Sequence, residues 1–149
     1  GHLTQKADVY SYGVLVLEIL TGRKCMDTRL PSPILLQWAW SLYERNENIN
    51  IVDPKLEVQG MSENEQGQVL RVVLIAFLCV QGLSSQRPSI SMVLTMLTGD
   101  SEILVAPSAP ALIDCEHISV ASAATPQTLS AAASSSTSHA TMSNSMCPR

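Results

Sequence analysis

From residue 7 to residue 20 the chain reads ADVYSYGVLVLEIL, with Val9, Tyr10, Tyr12, Val14, Leu15, Val16, Leu17, Ile19 and Leu20 apolar or aromatic. Plotted on a helix these positions cover every face, which predicts a helix enclosed by protein. Thr21-Gly22-Arg23 closes it, because glycine accepts the left-handed C-cap conformation without steric cost. Residues 34 to 45 place Leu35, Trp38, Ala39 and Leu42 at the spacing of one buried helical face, predicting a second helix. Pro54 and Gly60 then supply turn chemistry, the first by disfavouring a helical Asp53 and the second by tolerating positive φ. A third helix is expected from residue 62 or 63 to residue 81, acidic where its dipole is positive and apolar on nearly all sides in its second half. The fourth begins after Arg87-Pro88 with Ser89 as N-cap and runs through Met92, Val93, Met96 and Leu97. No fixed period relates these helices, so a solenoid is not expected.

Beyond residue 104 the patterning stops. Residues 105 to 149 are dominated by alanine, serine and threonine with scattered proline. Ordering the backbone costs roughly 1 to 2 kcal/mol per residue, and such a composition offers little apolar area to offset it. The expected organisation is therefore an all-α unit over residues 1–104 followed by a disordered tail over 105–149. The tail's hydroxyls are potential phosphate acceptors, although a solvated tail without a specific role is the plainer reading.

Composition narrows the function classes. At 149 residues one ordinary domain is expected, and a net charge of -4 gives no reason to propose nucleic acid or an anionic membrane as a partner. The apolar runs at 12 to 20 and 69 to 80 are shorter than the roughly 20 residues of a membrane-spanning helix, and the second contains Arg71. Both read as core helices. Residue 1 is glycine and no leader pattern follows it, so the chain reads as a piece of something longer. Cys25, Cys79, Cys115 and Cys147 form no C-x-x-C pair, and His2, His117 and His139 have no partner at helical spacing, which leaves metal binding without support. No serine sits in a G-x-S-x-G elbow. Trp38 is expected in the core and Trp40 against a loop or a partner.

Asp8 stands at the head of the first helix and admits two readings. A buried helix start still needs partners for its free N–H groups, and an aspartate can cap them. Alternatively its carboxylate receives backbone N–H groups from another segment and holds that segment in place. Spacing alone does not choose between them.

The string DVYSYGVLVLEILTGRK at residues 8 to 24, followed by LLQWAWSLYERNENINIVDPKLE at 35 to 57 and QRPSISMVLTML at 86 to 97, resembles the carboxy-terminal lobe of protein kinases. Among these it is most similar to plant receptor-like serine/threonine kinases of the cysteine-rich and leucine-rich-repeat types, over about residues 1 to 100. The resemblance implies roles for particular residues. Asp8 matches the aspartate that accepts hydrogen bonds from the catalytic-loop backbone. Leu15 and Ile19 match the apolar base of the hydrophobic column that rises to the adenine. Gly13 matches a glycine permitting close backbone approach. Arg87 matches the arginine that pairs with the glutamate of A-P-E.

The same resemblance implies ATP-dependent phosphoryl transfer and signal transduction in an intact parent, with ATP and magnesium as cofactors and proteins as substrates. The parent would span the plasma membrane once, with this part on the cytoplasmic side. The chain contains no G-x-G-x-x-G, V-A-I-K, H-R-D, D-F-G or A-P-E, the set on which kinase chemistry depends. It is therefore expected to carry no catalytic, cofactor-binding or metal residue of its own, to have the rest of the kinase domain as its partner, and to be inactive alone. An Arg87 buried without its carboxylate would cost roughly 3 to 5 kcal/mol, predicting marginal stability. The alternative function is a non-catalytic helical interaction module or truncated regulatory fragment; a bundle similar only by chance is the remaining reading.

Overall fold

The structure, a computed structural model, describes residues 4–112. Its helices are α1 (Gln5–Thr21), α2 (Leu35–Glu44), α3 (Glu63–Cys79) and α4 (Ile90–Thr98). Short 3-10 turns at Asn48–Ile51, Pro54–Leu56 and Val58–Gly60 join α2 to α3, and another at Ser84–Gln86 precedes α4. Among the described residues there are only two isolated antiparallel bridges, Met26 with Ile34 and Gln81 with Pro110, and no extended strand. The expected all-α class is what the described residues adopt.

Local chemistry accounts for the helix ends. Thr4 caps α1 by accepting the Ala7 N–H at 3.3 Å, and Gly22 ends it at φ 63°. Ser62 and Glu65 form a reciprocal capping box on α3: Oε2 of Glu65 accepts the Ser62 N–H at 2.9 Å while Ser62 Oγ accepts the Glu65 N–H at 3.4 Å. Ser89 caps α4 by accepting the Met92 N–H at 3.2 Å. In the 46–60 region the positive φ falls on Asn46 and Glu57 rather than on Gly60. The 3-10 turns there place the reversal immediately after Pro54–Leu56, so Glu57 takes it.

Two apolar clusters hold the helices together. The larger joins α1, α2, α3 and the connecting turns through Leu17, Leu35, Leu36, Ala39, Ile51 and Phe77. The smaller joins Val9 of α1 to Ile75, Leu78 and Cys79 of α3 and to Val93 and Met96 of α4. Full burial of each large side chain contributes roughly 1.5 to 3 kcal/mol. At the crossing of α1 and α3, a Cβ on Gly13 would lie 2.6 Å from the Cβ of Cys79, so the helices touch where only glycine fits. Trp40 stacks on Tyr43 at 5.0 Å and meets Phe77 edge-on at 5.4 Å, while Arg23 lies over the Trp38 ring at 5.1 Å. Both tryptophans are half-buried and pack on the larger cluster, so the contrast expected between them does not hold.

Two expectations are corrected. Helix α1 is not enclosed on every side among the described residues, since Leu15 is 53% and Ile19 68% exposed. The ordered part also continues past residue 104. Pro107 is buried, the Gly82 N–H donates to the Ala109 carbonyl at 3.1 Å, and the Ala111 N–H donates to the Val80 carbonyl at 2.9 Å. The rest of the expected tail, 113–149, lies outside the described residues.

Candidate functional site

On an ideal helix Asp8, Ser11, Leu15 and Ile19 fall within one narrow stripe, opposite Tyr10, Gly13, Val14, Leu17 and Thr21. The structure follows this geometry: the first set is exposed and the second buried. The Asp8 carboxylate heads the exposed stripe, in the first turn, and no hydrogen bond or ion pair among the described residues reaches it. Capping is done by Thr4, which removes the reading of Asp8 as the cap of its own helix. Ser11 turns its hydroxyl back to the Ala7 carbonyl at 3.1 Å, leaving a carboxylate followed by two large apolar side chains facing outward.

Arg87 is buried near the same end of α1. Pro88 disfavours a helical conformation for the residue before it, and Arg87 is extended, at φ -68° and ψ 137°. From there Nε donates to the Gln81 carbonyl at 2.9 Å, Nη1 to the Lys6 carbonyl at 3.2 Å and Nη2 to the Gly82 carbonyl at 3.5 Å. The guanidinium also lies over the Tyr10 ring at 4.8 Å, and Lys6 Nζ donates to the Arg87 carbonyl. Arg87 therefore ties the start of α1 to the turn after α3. A guanidinium carries five N–H groups, and three are used here, leaving one on each Nη. The expected penalty for an uncompensated buried arginine is accordingly reduced, because carbonyl oxygens and an aromatic face take the place of water.

Burial pushes the Cys79 thiol up to about 12, so it carries no thiolate at neutral pH. Burial, and secondarily Cys79, also raises the neighbouring Tyr12 phenol. Among the described residues no three or more His, Cys, Asp or Glu stand together as metal ligands. The cavity of about 490 Å³ between residues 49 and 60 is lined by Asp53 and Glu57, which repel phosphate. In the cavity of about 600 Å³ beside α3, Arg71 is engaged by the carbonyls of Met96, at 2.8 Å, and Ser101. No helix among the described residues is long and apolar enough to cross a membrane.

The amino-acid sequence is similar to those of plant protein kinases. Cold-responsive protein kinase 1 of Arabidopsis thaliana is 46% identical over 105 residues, covering 69% of this chain and 26% of that protein. Cysteine-rich receptor-like protein kinase 42 of the same plant is 44% identical over 115 residues, 74% of this chain and 17% of that protein. A probable LRR receptor-like serine/threonine-protein kinase of that plant is 43% identical over 105 residues, 69% of this chain and 10% of its own length. The chain is homologous to plant receptor-like serine/threonine kinases. It spans between about a tenth and a quarter of the length of these relatives. No family model matches the chain.

Within this kinase relationship, the four helices are consistent with the helical part of a carboxy-terminal lobe. Of the residues singled out from sequence, Asp8, Leu15 and Ile19 share one face, while Arg87 sits in a separate pocket. Sequence reasoning missed Thr4, Lys6, Tyr10 and Gln81. Thr4 carried an ordinary capping signal, three residues before Ala7. Lys6 and Gln81 act through main-chain carbonyls, which leave no trace in side-chain pattern.

Proposed function

We propose that this chain forms the helical base of a receptor-like serine/threonine kinase catalytic domain. The observation that carries the reading is the alignment of Asp8, Leu15 and Ile19 on the exposed stripe of α1. An exposed carboxylate in line with two large apolar side chains suits a neighbouring protein segment that brings backbone N–H groups to the first and apolar side chains to the others. In the kinase reading, Asp8 steadies the catalytic loop, and Leu15 and Ile19 found the hydrophobic column. The two remaining Nη hydrogens of Arg87 receive a carboxylate from the activation segment, in the paired geometry a guanidinium favours.

In the parent the reaction is transfer of the ATP γ-phosphoryl group, with magnesium, to serine or threonine hydroxyls of protein substrates on the cytoplasmic side of the plasma membrane, in signal transduction. Positioning is this chain's contribution. A transfer assay with labelled ATP tests the reading: the purified 149-residue chain gives background counts, and the same sequence within a complete kinase domain transfers phosphate. Transfer by the chain alone would refute the assignment of positioning roles only.

The exposed Ile90, Leu94 and Leu97 of α4 favour a second reading, a helical interaction module. Retention of a defined partner by the isolated chain, lost on Leu94→Glu, distinguishes it.

A further inference from the structure

Residues 106–112 form a strap across the turn that follows α3. Besides the two main-chain bonds given above, the Tyr10 hydroxyl donates to the Ala111 carbonyl at 2.7 Å. The remaining anchor is Ser108. Its N–H and its hydroxyl both point at Gln81 Oε1, at 3.0 Å each, and the hydroxyl also lies 3.0 Å from Gln86 Oε1. Gln81 is 3% exposed, and its Nε2 is held by the carbonyls of Leu78 at 3.2 Å and Gln86 at 2.9 Å. The amide cannot turn over without breaking both bonds, so Oε1 is fixed as an acceptor facing Ser108. Ser108 itself is exposed.

A fixed acceptor demands a donor opposite it. We propose that Ser108 is the latch of this strap, and that a phosphoryl group placed on its Oγ opens it. In the modifying step a protein kinase transfers the γ-phosphoryl of a nucleoside triphosphate. The bond from Oγ to phosphorus forms, the bridging phosphorus–oxygen bond to the β-phosphate breaks, and the hydroxyl proton leaves to the kinase's base. The product carries a charge of about -1.5 to -2 and offers acceptor oxygens where Gln81 Oε1 needs a donor. Gln86 is exposed and can swing away, whereas Gln81 cannot.

Opening has two consequences. The main-chain bonds of Gly82 and Ala111 are lost. Ala106 and Ser108 of the strap also line a cavity of about 510 Å³ with Leu78, Pro88, Met92, Met96 and Ile103, so that more of this apolar surface becomes accessible.

The test compares the full chain with and without phosphoserine encoded at position 108, by amide hydrogen exchange and by binding of an apolar fluorescent dye. Expected are exchange at Gly82 and Ala111 faster by about tenfold or more, unchanged exchange at Phe77 inside α3, and increased dye binding. Ser108→Ala, which removes one neutral hydrogen bond and adds no charge, accelerates the same amides by about 2- to 12-fold and by less than phosphoserine does. Unchanged or slower exchange at Gly82 and Ala111 overturns the proposal, and so does acceleration that extends equally to Phe77, since the effect is then global unfolding.

Discussion

Gly13 and Cys79 meet at the crossing of α1 and α3 so closely that a methyl group on Gly13 would stand 2.6 Å from the Cys79 Cβ, 2.8 Å from a Val80 methyl and 2.9 Å from the Ala76 carbonyl. Replacing glycine by alanine inside a helix is ordinarily favourable by roughly 0.5 to 1 kcal/mol. Here overpacking, typically about 1 to 3 kcal/mol, opposes that gain, and two of the three opposing atoms are a Cβ and a main-chain oxygen that cannot swing aside. Gly13→Ala is expected to lower the urea midpoint, with a net loss of about 1 to 2 kcal/mol. Trimming the thiol gives no relief, because Cys79→Ala keeps the offending Cβ. A midpoint that rises in Gly13→Ala would show that the helices separate at little cost.

Arg87→Lys is expected to destabilise by about 1 to 3 kcal/mol, read from the same urea transition. A single ammonium cannot reach the Gln81, Lys6 and Gly82 carbonyls together while lying flat over the Tyr10 ring. The planar fork does this because its donors diverge in one plane. An unchanged midpoint would mean that the charge alone matters, and that the three carbonyls are satisfied equally well by water.

These two sites show what was legible in the sequence. The helices were readable because their signals are local: the acidic start of α3, Ser89, Gly22 and the spacing of Leu35, Ala39 and Leu42 each involve residues a few positions apart. The kinase resemblance implied a close backbone approach at Gly13, but not its neighbour there, since Cys79 is 66 positions further on. The all-round apolar pattern of α1 established that Leu15 and Ile19 favour burial. It did not reveal that α2, α3 and α4 leave them uncovered, because hydrophobicity specifies that a surface is to be covered and not by which element. The strap was illegible for a different reason. Residues 106–112 are short of large apolar groups and are held by Gln81, Gly82, Val80 and Tyr10 through carbonyls, amides and one hydroxyl, none of which produces a periodic pattern.

Acid sensitivity is expected to centre on Asp27. Its carboxylate accepts from the Arg29 guanidinium at 2.8 and 2.7 Å and from the Arg29 N–H at 3.0 Å, which lowers it from 3.8 to about 2. The folded value is depressed, so the contribution to stability is fully present above the unfolded value of 3.8 and declines as pH falls from there toward about 2. The stability difference between the parent sequence and Asp27→Asn is therefore expected to be constant at neutral pH and to shrink across that window. Carboxyl chemical shifts followed through the titration check it, and a midpoint at the ordinary aspartate value would contradict the Arg29 contact.

The role of Asp8 separates most cleanly by comparing two contexts. Within this chain its carboxylate is exposed and Thr4 already caps α1. Only its favourable interaction with the helix dipole is lost in Asp8→Ala, which is expected to cost less than about 1 kcal/mol. Leu15→Gln and Ile19→Gln are likewise expected to change stability by no more than about 0.5 kcal/mol here, since both side chains face outward. In a complete kinase domain the proposed contacts exist, and displacing a catalytic segment by about an ångström costs on the order of a hundredfold in rate. Asp8→Ala should then reduce phosphoryl transfer by about that factor in kcat while KM for the protein substrate moves little. The pairing of a silent substitution in the short chain with a severe one in the full domain is specific to a residue that acts on a neighbouring segment. An Asp8→Ala domain that retains full kcat would instead leave the exposed stripe of α1 as a packing surface alone.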